Sequence, residues 1–392
     1  VKKIGTSTAI FGASFLMATS AIGPGFLTQT TVFTEQLLSS FGFVIIISIL
    51  IDIGAQMNIW RILAVTEKRA QDLANELLPG LGHFLAGLIV LGGLAFNIGN
   101  IGGCGLGLNV LLGLDTAYGA IFSCVIALFI FWMKEAGKMM DQFTKFLGVL
   151  MILLTIYVAF SSHPPLADAI QHSFFPTTIS TTAIVTLVGG TVGGYICFAG
   201  GHRLLDAGIK GEASLPQVNK SAITGILITA LMRFVLFLAA LGVIMHGGIL
   251  DKINPPASVF KLAAGELGYR FFGIVMWSAA ITSVVGAAYT SVSFLRTFHP
   301  WIDKNYRWLI SFFIVFSTCI FLFIGNPIKI LVTVGALNGL ILPIALAFML
   351  VAVKKTNLVG NYKHSIFLLI VGWFVVVIMS YMGIDTIRNW MF

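Results

Sequence analysis

Apolar runs long enough to cross a lipid bilayer follow one another along nearly the whole chain. One crossing takes roughly 20 apolar residues, and eleven such windows fall at about 8–37, 40–62, 80–112, 116–134, 143–161, 181–202, 219–249, 270–298, 307–325, 327–353 and 365–384. Little is left for a water-soluble domain. In lipid every backbone polar group must be paired within the protein, which helices achieve on their own. With 58% hydrophobic and only 10% charged residues among 392, the expected class is an all-α polytopic membrane protein. The opening Val1-Lys2-Lys3 before an apolar stretch has the look of a signal peptide. The run continues past the Ala18-Thr19-Ser20-Ala21 cleavage-like site and ten more windows follow, so a first membrane helix is expected instead.

Charge distribution sets an orientation and excludes a nucleic-acid partner. The net charge is +8, but the basic residues concentrate in alternate loops, at Lys2 and Lys3, Arg61 to Arg69, Lys134 to Lys145, Arg203 to Lys220, Arg296 to Arg307 and Lys354 to Lys363. The opposite loops hold only Lys252, Lys261, Arg270, Lys329 and Arg388. By the positive-inside rule the N-terminus is cytoplasmic and, after eleven spans of the cytoplasmic membrane, the C-terminus lies outside. Cys104, Cys124, Cys197 and Cys319 fall inside predicted spans without CxxC spacing, as expected of buried thiols rather than disulfides or a metal cluster.

Two spans carry helix-breaking residues near mid-membrane. The first has Gly23-Pro24-Gly25 and the sixth has Gly189-Gly190-Thr191-Val192-Gly193-Gly194-Tyr195. An isolated Pro in a membrane helix marks a kink, but a matched break five spans later suggests paired discontinuous helices. A shift of five spans inverts a unit in the membrane, so residues 1–161 and 162–353 are expected to be two inverted repeats, with 354–392 an added eleventh helix. Broken helices at matching positions of inverted repeats point to a secondary transporter with its site at the bilayer midplane.

The residues then resemble a known family, the NRAMP metal-ion transporters, which have the LeuT-type fold. Gln56-Met57-Asn58-Ile59-Trp60-Arg61-Ile62-Leu63-Ala64-Val65-Thr66 followed by Asp72-Leu73-Ala74 is similar to that family's Gln-x4-Arg-Leu-Gly-Val-Val-Thr and Asp-Leu-Ala-Glu. Ala95-Phe96-Asn97-Ile98-Gly99-Asn100 follows its Ala-x-Asp-x-x-Glu frame, and Leu342-Pro343-Ile344-Ala345 its Leu-Pro-Phe-Ala. The resemblance covers nearly the whole chain and implies the fold. Where the chemistry sits, the sequence departs. The family's Asp-Pro-Gly-Asn corresponds to Gly23-Pro24-Gly25-Phe26, and its Ala-Thr-Val-Met-Pro-His to Gly190-Thr191-Val192-Gly193-Gly194-Tyr195. Asn97 and Asn100 replace the acids the family uses for protons, and Gly335 stands near its site glutamine.

These replacements predict a wider, neutral, partly aromatic cavity lined by Gly23, Pro24, Gly25, Phe26, Asn97, Gly193, Gly194, Tyr195 and Gly335. A transition metal stripped of water needs carboxylate, imidazole, amide or thioether donors, and these positions lack them. Helix N-termini bind carboxylates through free N–H groups. The expected cargo is therefore a small organic carboxylate or amino-acid-like solute. The alternative is a divalent cation such as Mg²⁺, which keeps part of its water and suits a roomier site. Asn100 no longer titrates, and no cofactor is expected. Na⁺ is the coupling-ion candidate, at Thr282, Ser283, Thr290 and Ser291 of span eight, although such hydroxyls commonly bond the carbonyl one turn back.

Several charged residues complete the list of candidates. Arg203 and Asp206 stand three apart, as an interfacial ion pair or an inner gate would. His202 is expected at the surface, with a proton relay as the alternative. Arg233 lies within span seven, either facing a partner or snorkelling. Asp52 in span two is expected to hold a structural hydrogen bond. The chain has no nucleophile-and-base pair or HExxH motif, which disfavours an intramembrane enzyme; a channel would not need paired breaks. Expected partners are the bilayer and a small solute or ion, and a monomer suffices for the pattern.

Overall fold

The computed structural model describes residues 23–391, omitting the side chains of 134–141 and 143–145. Among the described residues the secondary structure is helical throughout. α1 (Pro24–Leu37) runs through a single 3₁₀ turn into α2 (Phe41–Thr66), and the short α3 (Ala70–Leu77) leads to the long α4 (Leu81–Leu112). α5 (Thr116–Trp132), α6 (Lys134–Ser161) and α7 (Leu166–Phe174) follow. Then come α8 (Thr181–Thr191), α9 (Gly194–Asp206), α10 (Leu215–Met245), α11 (Pro255–Ser293) and α12 (Pro300–Lys304). α13 (Tyr306–Ile324), α14 (Pro327–Ala352), α15 (Thr356–Val359) and α16 (Ile366–Met391) close the chain.

Among the described residues, from 23 onward, the apolar windows of the sequence coincide with helix, but not every helix is a full span. Eight described segments are long and apolar enough to cross a membrane, or nine if α6 and α7, bent by 106° at their junction, count as one. α5 is apolar but has 17 residues, about 26 Å at 1.5 Å per residue, a little short of a ~30 Å hydrocarbon core. The 163–176 stretch, between two of the apolar windows, holds α7. α11 begins well before its predicted start at 270, and Gly265 interrupts it with φ +65, a left-handed conformation that glycine adopts without strain.

Helix starts follow local chemistry. Asp115, Ser180, Asn254 and Asn326 cap α5, α8, α11 and α14 with their side chains, each accepting from a first-turn N–H. Such caps satisfy donors that would otherwise be stranded at a helix end. α4 sits at the centre, against α5, α11, α13 and α14, while α2 packs on α10 and α8 on α14. Close approach along α4 depends on small residues. A Cβ at Gly103 would fall 2.2 Å from Pro24 Cγ, and one at Gly107 2.7 Å from Trp277 Cβ, the small-residue packing that replaces the hydrophobic drive inside lipid. Large apolar side chains such as Phe312, Phe316, Phe323 and Phe374 stand exposed on the outer helices, as a lipid-facing surface requires. Three of the cysteines are buried as expected, whereas Cys319 is exposed on α13.

Candidate functional site

α1 starts where the sequence places its break. Pro24 occupies the first turn, where its missing N–H costs nothing, Gly23 is the N-cap, and Leu27 N–H donates to the Gly23 carbonyl at 3.2 Å. The half expected before the break lies outside the described residues. The sixth span breaks within its glycine motif. Val188 carbonyl accepts from both Val192 and Gly193 N–H at 2.8 Å, closing α8, and α9 opens at Gly194. The last carbonyls of α8 and the first N–H groups of α9 thus lack helical partners. Asn338 of α14 reaches one of them, its Oδ1 accepting from Tyr195 N–H at 3.4 Å.

The glycines do not open the cavity predicted for them, because neighbouring helices fill the space. A Cβ on Gly193 would lie 2.4 Å from Gly189 O, on Gly194 2.3 Å from Ile341 Cγ2, and on Gly335 2.5 Å from Gln29 Nε2. Gly194 therefore packs on α14 and does not face the α1 break. Gly189 comes closest, its Cβ position being 1.8 Å from Gly335 O. Gly25 has more room, with Gln29 Nε2 at 3.5 Å, and Gly23 looks toward Ser283, whose Oγ is 3.9 Å away.

Gln29, which the sequence reading passed over, lies at this crossing of α1, α8 and α14. Its Nε2 donates to Leu331 O at 2.9 Å. Its Oε1 is buried without a donor, as are Thr28 Oγ1 on α1 and Thr186 Oγ1 on α8. Oε1 is 2.4 Å from the Cβ position of Gly190, while Thr186 Cγ2 is 2.9 Å from that of Gly335. An amide the sequence reading did not single out stands one turn beyond Gly335: Asn338 Nδ2 donates to Gly92 O and Val334 O, both at 3.1 Å. An amide in an otherwise apolar helix turn was the signal for Asn338; Gln29, among Thr28, Thr30 and Thr31, had no such contrast.

The two aromatic candidates are separated. Tyr195 packs against Phe96, centroids 5.8 Å apart, and its hydroxyl donates to Ala287 O at 3.4 Å. Phe26 belongs to another cluster, with residues of α10 and α11, and carries the Arg233 guanidinium 4.4 Å from its ring centroid. Arg233 is 3% exposed, so it is buried and does not snorkel. Asp52 is buried too, and its Oδ1 makes no hydrogen bond, contrary to the structural bond expected of it. Asn97 points to α13, donating to Ser317 Oγ at 3.1 Å. Asn100 shares its face of α4 with Gly93 and Gly103. On α11, Thr282 and Thr290 donate back to their own helix, to Ser278 O and Gly286 O, and Ser291 sits against Gly93 of α4.

At the far end of α9 the expected ion pair is re-partnered. Asp206 pairs with Arg69, Nη2 to Oδ1 2.9 Å, while the Arg203 guanidinium approaches Gly286 of α11, 4.0 Å from its Cβ position. His202 is buried rather than on the surface. Its Nε2 accepts from Ala70 N–H at 3.0 Å, and its ring lies 4.4 Å from that of Phe294. A ring nitrogen that accepts is unprotonated, so His202 here anchors the start of α3. Among the described residues no group of three or more His, Cys, Asp or Glu side chains is placed to hold a metal ion.

Comparison with known proteins agrees with this architecture. The natural resistance-associated macrophage protein-like (Nramp) family matches residues 14–388. The uncharacterized membrane protein YcsG of Bacillus subtilis is 63% identical over 386 residues, 98% of this chain and 96% of that one. Among solved structures, a manganese transporter of Eremococcus coleocola superposes with a TM-score of 0.68 at 15% identity, over 99% of this chain and 88% of that one. MhsT in complex with L-phenylalanine does so with a TM-score of 0.61 at 14% identity, over 96% and 97%. Family match, close relative and shared fold lead to one conclusion: the chain belongs to the Nramp family of membrane proteins and has the fold of the transporters it superposes on.

Proposed function

We propose that the chain is an alternating-access carrier whose cargo is a divalent cation that keeps part of its water, met at the crossing of α1, α8 and α14. Nramp membership and the fold shared with a manganese transporter favour a metal cargo over the organic carboxylate suggested by the neutral motif. The observation that carries the reading is the pair of donorless buried oxygens, Gln29 Oε1 beside Gly190 in the last turn of α8 and Thr186 Oγ1 at the middle of that helix. A buried acceptor without a donor costs about 1–3 kcal/mol, and a cation recovers that cost. The carbonyl end of a helix carries partial negative charge that adds to the attraction.

The donor set also favours one kind of cation. Amide, hydroxyl and carbonyl oxygens are hard ligands, suited to Mg²⁺ or to Mn²⁺ in a water-rich shell. Without a carboxylate or thioether at the crossing they do not match a fully dehydrated soft metal. The glycine contacts would have to loosen as the helices rearrange between open states, which alternating access provides.

Calorimetric titration of purified protein with Mg²⁺, Mn²⁺, amino acids and small organic carboxylates tests the reading, followed by uptake into proteoliposomes. Saturable binding of a divalent cation that is lost in Gln29→Leu is the expected result. Saturable binding of an organic carboxylate with no response to either metal would overturn it.

A further inference from the structure

Among the described residues, Asp52 is the one carboxylate and Arg233 the one guanidinium buried in the bundle. They stand on neighbouring helices, α2 and α10, and both line a cavity of about 10 Å³ with Ser48, Thr191 and Thr229. That is about the room one water molecule needs. Asp52 Oδ1, Arg233 Nε and Arg233 Nη2 all lack hydrogen-bond partners. Ser48, Thr191 and Thr229 spend their protons on carbonyls of their own helices, at 2.9, 2.8 and 2.9 Å, so they face the cavity as acceptors. A water there can accept from the guanidinium and donate to the carboxylate.

The pair touches both breaks. Thr191 is the last residue of α8, and Arg233 lies over Phe26, two residues into α1. A charge buried in a membrane helix is expensive and is kept where it faces a partner or a pathway. A fixed structural pair would close its hydrogen bonds, because an unsatisfied buried ion is the costly case. This pair leaves three polar atoms open around a water-sized space.

We propose that Asp52 is a proton-binding site of the carrier and that Arg233 couples its charge state to the first-helix break through Phe26. When a proton from water bonds to Asp52, its carboxylate no longer offsets the Arg233 charge across the cavity, and the guanidinium becomes an uncompensated cation held by the Phe26 ring. When that O–H bond breaks, the proton returns to water and the two opposite charges again face each other across the cavity. The site lies apart from Asn97 and Asn100, and it holds for either kind of cargo.

Other titratable groups on the elements packed against α2 leave Asp52 to Arg233. α9 presents Cys197, while its Tyr195 and His202 are bonded elsewhere and its Arg203 and Asp206 lie at its far end. α8 carries no titratable residue. On α7, Asp168 and His172 pair with each other at 3.0 Å, and on α16 Asp385 accepts from Thr181 at 2.6 Å while Tyr381 is exposed and Arg388 stands in the last turn. Glu35 of α1, Lys220 of α10 and Lys329 of α14 are exposed.

Infrared difference spectra of the purified protein in nanodiscs, titrated from ~pH 8 down to the ordinary carboxylate range, read this proton without any cargo. The carbonyl band of a protonated carboxyl should grow on acidification, vanish in Asp52→Asn and change its midpoint in Asp52→Glu. Arg233→Gln should move the midpoint upward by at least ~1 pH unit, since an opposing charge is lost. The emission of Phe26→Trp should titrate with the same midpoint and become flat when combined with Asp52→Asn. A band unchanged in both Asp52 variants overturns the proton site, and a Phe26→Trp emission indifferent to pH overturns the coupling. Because no cargo is present, failure here is separate from failure of the metal reading.

Discussion

Replacing Gly189 by alanine forces apart two helices that now touch backbone to backbone. The new Cβ would sit 1.8 Å from Gly335 O and 2.3 Å from Gly339 N. A carbon–oxygen contact needs about 3.3 Å, so α8 and α14 must separate locally by about 1.5 Å. Both atoms met are backbone, which cannot rotate out of the way. Overpacking of this kind costs about 1–3 kcal/mol, and the upper end is expected. α14 also supplies Leu331 O to Gln29 and Asn338 to Tyr195 N–H, so the displacement should weaken cargo binding as well. The assay is thermal unfolding of purified protein followed by tryptophan emission, beside titration with Mg²⁺ and Mn²⁺. Gly87→Ala is the control: it lies on α4 with nothing within 4 Å of its Cβ position. Alanine there should leave stability unchanged or raise it by up to ~1 kcal/mol through helix propensity. If Gly189→Ala melts with the wild type and binds as tightly, the close crossing is not real and the argument built on Gln29 goes with it.

Trp60 Nε1 donates to Cys197 O at 2.8 Å, so Trp60→Phe should cost about 1 kcal/mol in thermal or denaturant unfolding. Asp206→Asn removes a largely exposed pair with Arg69 and should change stability by less than ~1 kcal/mol; a larger loss in the same assay would show a buried network. Gln29→Leu should keep the fold, losing about 1 kcal/mol for the bond to Leu331 O, while calorimetry shows divalent binding abolished. In the loop before α16, His364 Nε2 donates to Asn58 Oδ1 at 2.8 Å and its Nδ1 accepts from the Tyr362 hydroxyl at 3.1 Å, and burial, helped by Arg61, lowers its pKa to about 4. A lowered histidine pKa stabilises the folded state above the ordinary value of 6.5 and loses that contribution as pH falls toward 4. The drop bounds the effect at ~3 kcal/mol, reduced to ~1 kcal/mol by solvent at a half-buried ring. Melting temperature should therefore fall between those pH values, and His364→Gln should flatten the profile.

What was legible in the sequence was what one helix or one motif decides alone. Apolar length placed the helices, and the Gly189 to Gly194 run placed the break in span six, because no alternative conformation is as cheap there. Side-chain partners across helices were not legible. Arg203 and Asp206 stand three apart and look paired, yet Arg69 approaches from another segment and takes Asp206. The histidine at 202 looks like a surface residue until α3 folds back and offers Ala70 N–H to its ring. The cavity misreading has the same origin. A glycine in place of a large side chain opens space only if the backbone stays where it was; with no Cβ to hold them off, α8 and α14 close until Gly189 meets Gly335, and Gln29 enters the gap between Gly190 and Gly335. Loss of the family's ligands at Gly23 and Gly193 therefore does not leave an empty site. Amides stand elsewhere at the crossing, Gln29 on α1 and, one turn beyond Gly335, Asn338 on α14, and among the described residues one buried carboxylate and one buried guanidinium, Asp52 and Arg233, lie on helices where the motif comparison did not look.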